Sequence, residues 1–270
     1  RNLYSSDLFR NICILKTLEI LIKNFRLKLV VDTYELKKTI IQHFSSKKID
    51  VVVKKNKKSL IKFFYIFYII KSISVFLFQY LIIKFYAEKK KFTKKFTLID
   101  TFIIDAAIKE KFYYGNIIHY AKKYKKNILF VPTIIQNNLL EFYRIVKSIA
   151  KDKNYVFKES FLKIDDLKYC IFYLFRKKKF NINYKKFENF DLSGLIRDEI
   201  NFNRNLFSVF LSLYNFCFIK RLKTESLKFN KTINWFENQP MDKAWNYAFR
   251  KFFPKFETIG YQGFTHYPEY

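Results

Sequence analysis

The sequence predicts an α/β chain built on a parallel sheet, and three observations predict it. Short β-branched runs at 27–31 and 49–53 alternate with longer stretches of helical period. Polar caps stand at the junctions, Asp32-Thr33 before one helix and Asn238-Gln239-Pro240 before another. Strand, short polar turn, helix, strand is the rhythm of parallel pairing, because a parallel neighbour is reached only by a crossover. Together these describe a Rossmann-like parallel sheet with flanking helices.

A length of 270 residues allows one large domain or two modest ones. With 50% hydrophobic and 21% aromatic residues, the chain is no disordered polymer. Its formal charge is +29, from 52 Lys+Arg and 23 Asp+Glu. Such a charge attracts nucleic acid, anionic lipid or phosphorylated substrates. It is spread over every segment, and Lys far outnumbers Arg, as AT-rich codon usage produces. A lysine-coated surface is the plainer reading. A basic nucleic-acid-binding or organelle-ribosomal protein is the alternative, and tight RNA binding with a steep salt slope would favour it. Cys13, Cys170 and Cys217 lie far apart in apolar runs, with no metal spacing, which suits a reducing, cytoplasmic compartment. No metal or resident cofactor is expected. The chain opens on Arg1 and stops after a loop signal, so it reads as part of a longer protein.

Taken in order, Ser5-Ser6-Asp7 caps a helix over about 8–23 and Leu27 opens a strand to Val31. Asp32-Thr33 caps a helix over 34–44, and 49–53 is a second strand. Residues 59–87 are almost wholly apolar, interrupted by Lys71. The stretch is long enough to span a bilayer, but a lysine at mid-span costs about 2.5–3.5 kcal/mol on insertion scales. A core helix, a helix on an anionic membrane surface and a spanning helix stay open, the last making a membrane-embedded protein a third class. The region is a helical insertion at 59–90 within a domain covering 1–270. Residues 97–103 form a third strand carrying Asp100 and Thr101. Tyr113-Tyr114-Gly115-Asn116 turns into a short helix that carries His119, a core histidine by its apolar neighbours. A fourth strand over 127–131 breaks at Pro132-Thr133. An amphipathic helix covers 138–151, a fifth strand 155–157, a helix runs from Asp165-Asp166 to Arg176, and 177–189 is loop. Residues 206–219 are helical and 232–236 are strand.

The last stretch differs from the rest. The chain holds Gly 4, Pro 4 and Trp 2, and both tryptophans, three prolines and two glycines fall after residue 234. Asn238 or Gln239 caps, Pro240 takes the first helical position, Asp242 faces the positive end of the dipole, and Pro254 stops the helix. A strand over 256–261 follows, where Gly260 and Gly263 permit a tight turn. Glu237 thus stands at the carboxyl end of a strand and the amino end of a helix. In open α/β sheets ligands bind at that edge.

Trp235-Phe236-Glu237-Asn238-Gln239-Pro240, Asp242-Lys243-Ala244, Arg250 to Pro254 and Thr258 to Gly263 resemble a segment of bacterial surface-carbohydrate biosynthesis proteins. These are GT-B-type glycosyltransferases, more distantly similar to capsule and teichoic-acid polymer transferases. Weaker echoes occur at Leu98 to Thr101, Tyr113 to Gly115, Phe130 to Thr133 and from Lys158-Glu159 through Asp165-Asp166. The relatives' turn reads Gln-His where this chain reads Gln262-Gly263, so no histidine role carries over to that position. The resemblance implies the acceptor-side, N-terminal half of a GT-B-like architecture, with the second nucleotide-binding half outside this chain. It implies transfer of a sugar or related unit from a nucleotide-activated donor to a glycan acceptor. The chain is expected in the cytoplasm, with a peripheral place at the inner face of the cytoplasmic membrane as the alternative.

That chemistry needs a base for the acceptor hydroxyl and groups that hold sugar hydroxyls. Glu237 is the candidate base, with a capping carboxylate as the alternative reading. Asn238, Gln239, Gln262 and Gly263 are candidates for acceptor binding, with turn chemistry as the alternative. Asp100 and Thr101 sit where they would reach the same cleft, unless Asp100 is a buried structural acid. Tyr114 is a candidate to stack on a sugar face, unless it is core filler.

Overall fold

The computed structural model describes residues 7–44, 49–54, 58–87, 95–104, 114–136, 138–176, 185–201, 206–225, 229–236 and 239–261. In chain order come α1 (Asp7–Leu21), β1 (Leu27–Val31), α2 (Tyr34–His43), β2 (Ile49–Val53), α3 (Lys58–Tyr86) and β3 (Phe96–Ile103). Next are α4 (Ile117–Lys123), β4 (Ile128–Ile134), α5 (Leu139–Ala150), a 3-10 turn (Lys158–Ser160), α6 (Ile164–Ile171) and α7 (Tyr173–Arg176). Then follow β5 (Lys186–Phe187), β6 (Phe190–Asp191), α8 (Ser193–Asn201), α9 (Leu206–Thr224), β7 (Phe229–Trp235), α10 (Pro240–Phe252) and β8 (Glu257–Tyr261). The chain forms two compact units, residues 1–71 with 172–206 and residues 72–171 with 207–270.

The first unit is a single βαβ turn with additions. β1 and β2 pair in parallel, with Leu27 opposite Ile49, as the two β-branched runs predict. Between them Thr33 caps α2, its hydroxyl accepting from the Leu36 amide at 3.2 Å. Leu15, Leu18, Val31, Leu36, Ile40, Val51, Phe190 and Leu195 form its core. The caps expected at Ser5 and Ser6 lie outside the described residues. The loop expected over 177–189 differs: 186–187 and 190–191 pair as a hairpin, and residues 177–184 lie outside the described part. Helix α8, which the sequence reading does not assign, turns Leu195 and Ile196 into this same core.

The second unit carries a four-stranded sheet in the order β4-β3-β7-β8, parallel throughout. This is the Rossmann-like α/β arrangement the sequence predicts. Side chains alternate across β3. Ile99 and Ile103 face one core with Phe130, Phe142, Ile145 and Ile149, the last three from α5. Asn138 caps α5, its Oδ1 accepting from the amides of Leu140 and Glu141 at 2.9 and 3.3 Å. The opposite face of β7 meets α10, where the Trp245 indole N–H donates to the Thr232 hydroxyl at 3.1 Å.

Four local expectations change. β4 runs through Pro132 to Ile134. The Phe130 amide donates outward to the Asn154 carbonyl, so Pro132, two residues on, turns its missing N–H to the same outer side, where no ladder needs it. The strand expected at 155–157 shrinks to one bridge, Phe130 to Tyr155, because the chain turns at once into the 3-10 segment. Gly260 lies inside β8 and makes no turn; a Cβ there would stand 3.1 Å from the Phe236 Cβ, so it serves close approach. Gly263, where that turn is also expected, lies outside the described residues, and the separate turn predicted before α4 is present at Gly115, whose φ of 55° is left-handed. His119 is exposed and edges onto Tyr120.

Helix α3 is continuous. Its second half buries Ser72, Phe76, Gln79, Tyr80 and Ile83 in the second unit. Phe76 meets Phe210 and Tyr214, and the Gln79 amide donates to the Gln136 carbonyl at 3.2 Å.

Candidate functional site

From β3 the chain crosses to β4 on one side, then returns to place β7 on the other side of β3. Between β3 and β7 the direction of winding reverses. Outside the carboxyl ends of two such strands, the connections diverge and leave a crevice, the usual ligand position of a doubly wound sheet. The connection after β7 contains Glu237 and Asn238, and Gln262 and Gly263 follow β8. All four lie outside the described residues. The other candidates can be placed.

Aromatic residues gather at this edge. Trp235 ends β7 and is in register with Tyr261, which ends β8. Their ring centroids are 5.4 Å apart, and Tyr114 lies 5.4 Å from Tyr261 and 6.5 Å from Trp235. The Tyr114 hydroxyl donates to the Asp100 carbonyl at 2.6 Å, which ties the turn before α4 back onto β3. Trp235 is buried and Tyr261 is 41% exposed, so the cluster presents one open ring at the carboxyl edge. Gln239 is the N-cap of α10; its backbone N–H donates to the Asp242 carboxylate at 3.0 Å.

Asp100 and Thr101 are buried at 2% and 0% exposure and point to opposite faces of β3. On the Asp100 face lies a polar cluster no motif announces. Lys158, from the 3-10 turn, reaches under the sheet. Its ammonium donates to the Thr133 hydroxyl and to the Asn215 side-chain Oδ1, each at 2.6 Å. It stands 3.8 Å from Asp100 Oδ1 and 5.8 Å from the Trp245 ring. Asn215 in turn donates to the Met241 carbonyl at 3.4 Å, linking α9 to the first turn of α10.

Burial raises the Asp100 carboxyl to about 6; Lys158 opposes the rise and Asp242 adds to it. Burial lowers the Lys158 ammonium, against Asp100 and Glu159. Burial also raises Glu159 and Tyr214. Removing a carboxylate from water costs several kcal/mol, and a cation at 3.8 Å offsets only part of it. The ammonium is therefore held chiefly by Thr133 and Asn215. Thr133→Val, which removes one acceptor, is expected to cost about 1.5–3 kcal/mol in urea denaturation. A cavity of about 30 Å³ adjoins the cluster, lined by Thr133, Lys158, Glu159, Gln79, Tyr80 and Tyr214, with room for about two waters.

The structure thus brings Asp100 and Tyr114 together beneath the carboxyl edge and closes Asp100 and Thr101 off from solvent. Sequence reasoning touches Thr133 and Lys158 only as parts of weak family echoes and gives neither a role, since in so lysine-rich a chain one more Lys carries no signal, and it misses Asn215 altogether. Tyr261 lies within the segment that carries the resemblance, yet as one of 20 tyrosines it is given no role there. Fold and site define a doubly wound α/β unit with an aromatic-rimmed switch point. No family model, no curated protein and no solved structure matches the chain.

Proposed function

We propose that this chain is the acceptor-side half of a GT-B-like glycosyltransferase that builds surface polysaccharide. It holds a glycan acceptor while a sugar or related unit arrives from a nucleotide-activated donor. The observation that carries the reading is the cluster of Tyr114, Trp235 and Tyr261 at the switch-point edge, with Glu237 following β7 directly in the chain. A sugar ring has an apolar face and a hydroxyl rim. An open aromatic ring suits the face, and carboxylate and amide groups suit the rim. Glu237 takes the proton of the attacking hydroxyl, while Asn238, Gln239 and Gln262 orient the ring. Donor phosphates are held by the nucleotide-binding half, where helix N-termini stabilise the leaving group.

Residues 1–270 alone are therefore expected to bind acceptor oligosaccharides and to turn over no nucleotide sugar. Titration of surface-polysaccharide fragments, followed by calorimetry, checks this. Tyr261→Ala is expected to weaken acceptor binding about tenfold, worth roughly 1.4 kcal/mol. Unchanged affinity in that variant, or nucleotide-sugar turnover by 1–270, contradicts the reading.

A further inference from the structure

Helix α3 has two faces of different fate. At 100° per residue, Ser74, Phe78, Leu81 and Phe85 fall within about 60° of arc. Opposite them lie Ser72, Phe76, Gln79, Tyr80 and Ile83, all buried in the second unit. The outer residues are not buried: Phe78 is 46%, Leu81 61% and Phe85 83% exposed. Phe67 and Ile70, further up the same helix, are exposed as well. Three large side chains in a row on a water-facing helix are an interaction surface by their chemistry.

Charge decides the occupant. Between Lys54 and Lys95 the chain holds twelve lysines and one acid, Glu88, and the whole chain carries +29. An apolar helix face bracketed by lysines matches the interface of an anionic bilayer, where rings enter the acyl boundary and ammonium groups meet phosphates. Residues 65–86 are long and apolar enough to cross a membrane. Yet the inner face is committed to protein: Phe76 to Phe210 and Tyr214, the Lys84 ammonium to the Glu159 carbonyl at 2.9 Å, and Tyr86 to the Tyr143 hydroxyl at 3.0 Å. A helix so bound lies along a surface and does not cross it.

We infer that the outer face of α3 seats the protein on an anionic membrane, with Phe78, Leu81 and Phe85 as the inserted side chains. This goes beyond the sugar-transfer reading and does not depend on it. The test is sedimentation of the 270-residue chain with vesicles of phosphatidylglycerol and phosphatidylcholine, and with phosphatidylcholine alone. The chain is expected to pellet with the anionic vesicles and to stay in solution with the neutral ones. Phe78→Ser/Leu81→Ser/Phe85→Ser is expected to lose about tenfold or more in partition while its circular dichroism stays unchanged. A parent chain that stays in solution overturns the inference, as does a triple variant that pellets like the parent. Equal binding to neutral vesicles overturns it too. A parent dimer in light scattering that the triple variant dissociates, without vesicle binding, overturns it by assigning the face to a second copy instead.

Discussion

Lys158→Met is expected to destabilise the sheet-bearing unit by about 3–5 kcal/mol at pH 8, because it leaves the Asp100 carboxylate buried without its cation. Both tryptophans, Trp235 and Trp245, belong to this unit, so urea denaturation followed by their fluorescence reports on it alone. Met fills the stem's volume, which separates lost charge from a cavity. The Thr133 hydroxyl and the Asn215 Oδ1 lose a donor at the same time. Asp100→Asn in the same background is expected to recover part of the loss, since the amide needs no counter-charge. A double variant no more stable than Lys158→Met would show that Asp100 and Lys158 are energetically independent.

The pH dependence has a definite sign. The Asp100 carboxyl titrates at 3.8 in an ordinary setting and at about 6 in the folded unit. The folded state holds this proton more tightly, so its contribution is fully present below about pH 4 and is lost as pH rises through 6. Integrated over that window the swing is about 3 kcal/mol, because each tenfold gain in proton affinity is worth about 1.4 kcal/mol. Glu159 is displaced in the same direction. Lys158, lowered from 10.5, acts in the opposite sense in the range beneath that value. The cost of Lys158→Met is therefore smaller at about pH 5, where Asp100 carries a proton, than at about pH 8.

How much of this is legible in the sequence follows from the signals involved. β1 and β2 are readable to the residue, because β-branched runs between polar turns admit little else. Pro240 at the first position of α10, and Asp242 behind it, are readable because capping is local chemistry. Pro132 misleads because its tolerance depends on β4 lying at the sheet edge, a fact of topology and not of sequence. The buried cluster is out of reach for a related reason. Lys158, Thr133, Asn215 and Asp100 come from four separate elements and meet only after β3, β4 and α9 are assembled. The order of β3 and β7, which fixes the switch point, is likewise invisible in a linear pattern.

The largest effect on function is expected at Glu237. On the proposed sugar-transfer reading, Glu237→Gln in the full-length protein is expected to lower transfer about 10²–10⁴-fold, the usual worth of a positioned base. Gln keeps the shape and the hydrogen-bonding reach of the side chain but accepts no proton. Asp242 accepts from the Gln239 backbone amide at 3.0 Å, a cap at the start of α10 that the substitution at 237 does not itself remove. Fold and acceptor affinity should therefore stay close to those of the parent while the chemical step fails. The loss should fall on kcat, because the proton moves in the transition state and not on binding. Tyr261→Ala should instead raise KM for the acceptor and leave kcat nearly unchanged. A Glu237→Gln enzyme with a normal kcat would remove that carboxylate from the reaction and move the search for a base to the other polar groups at the same strand edge.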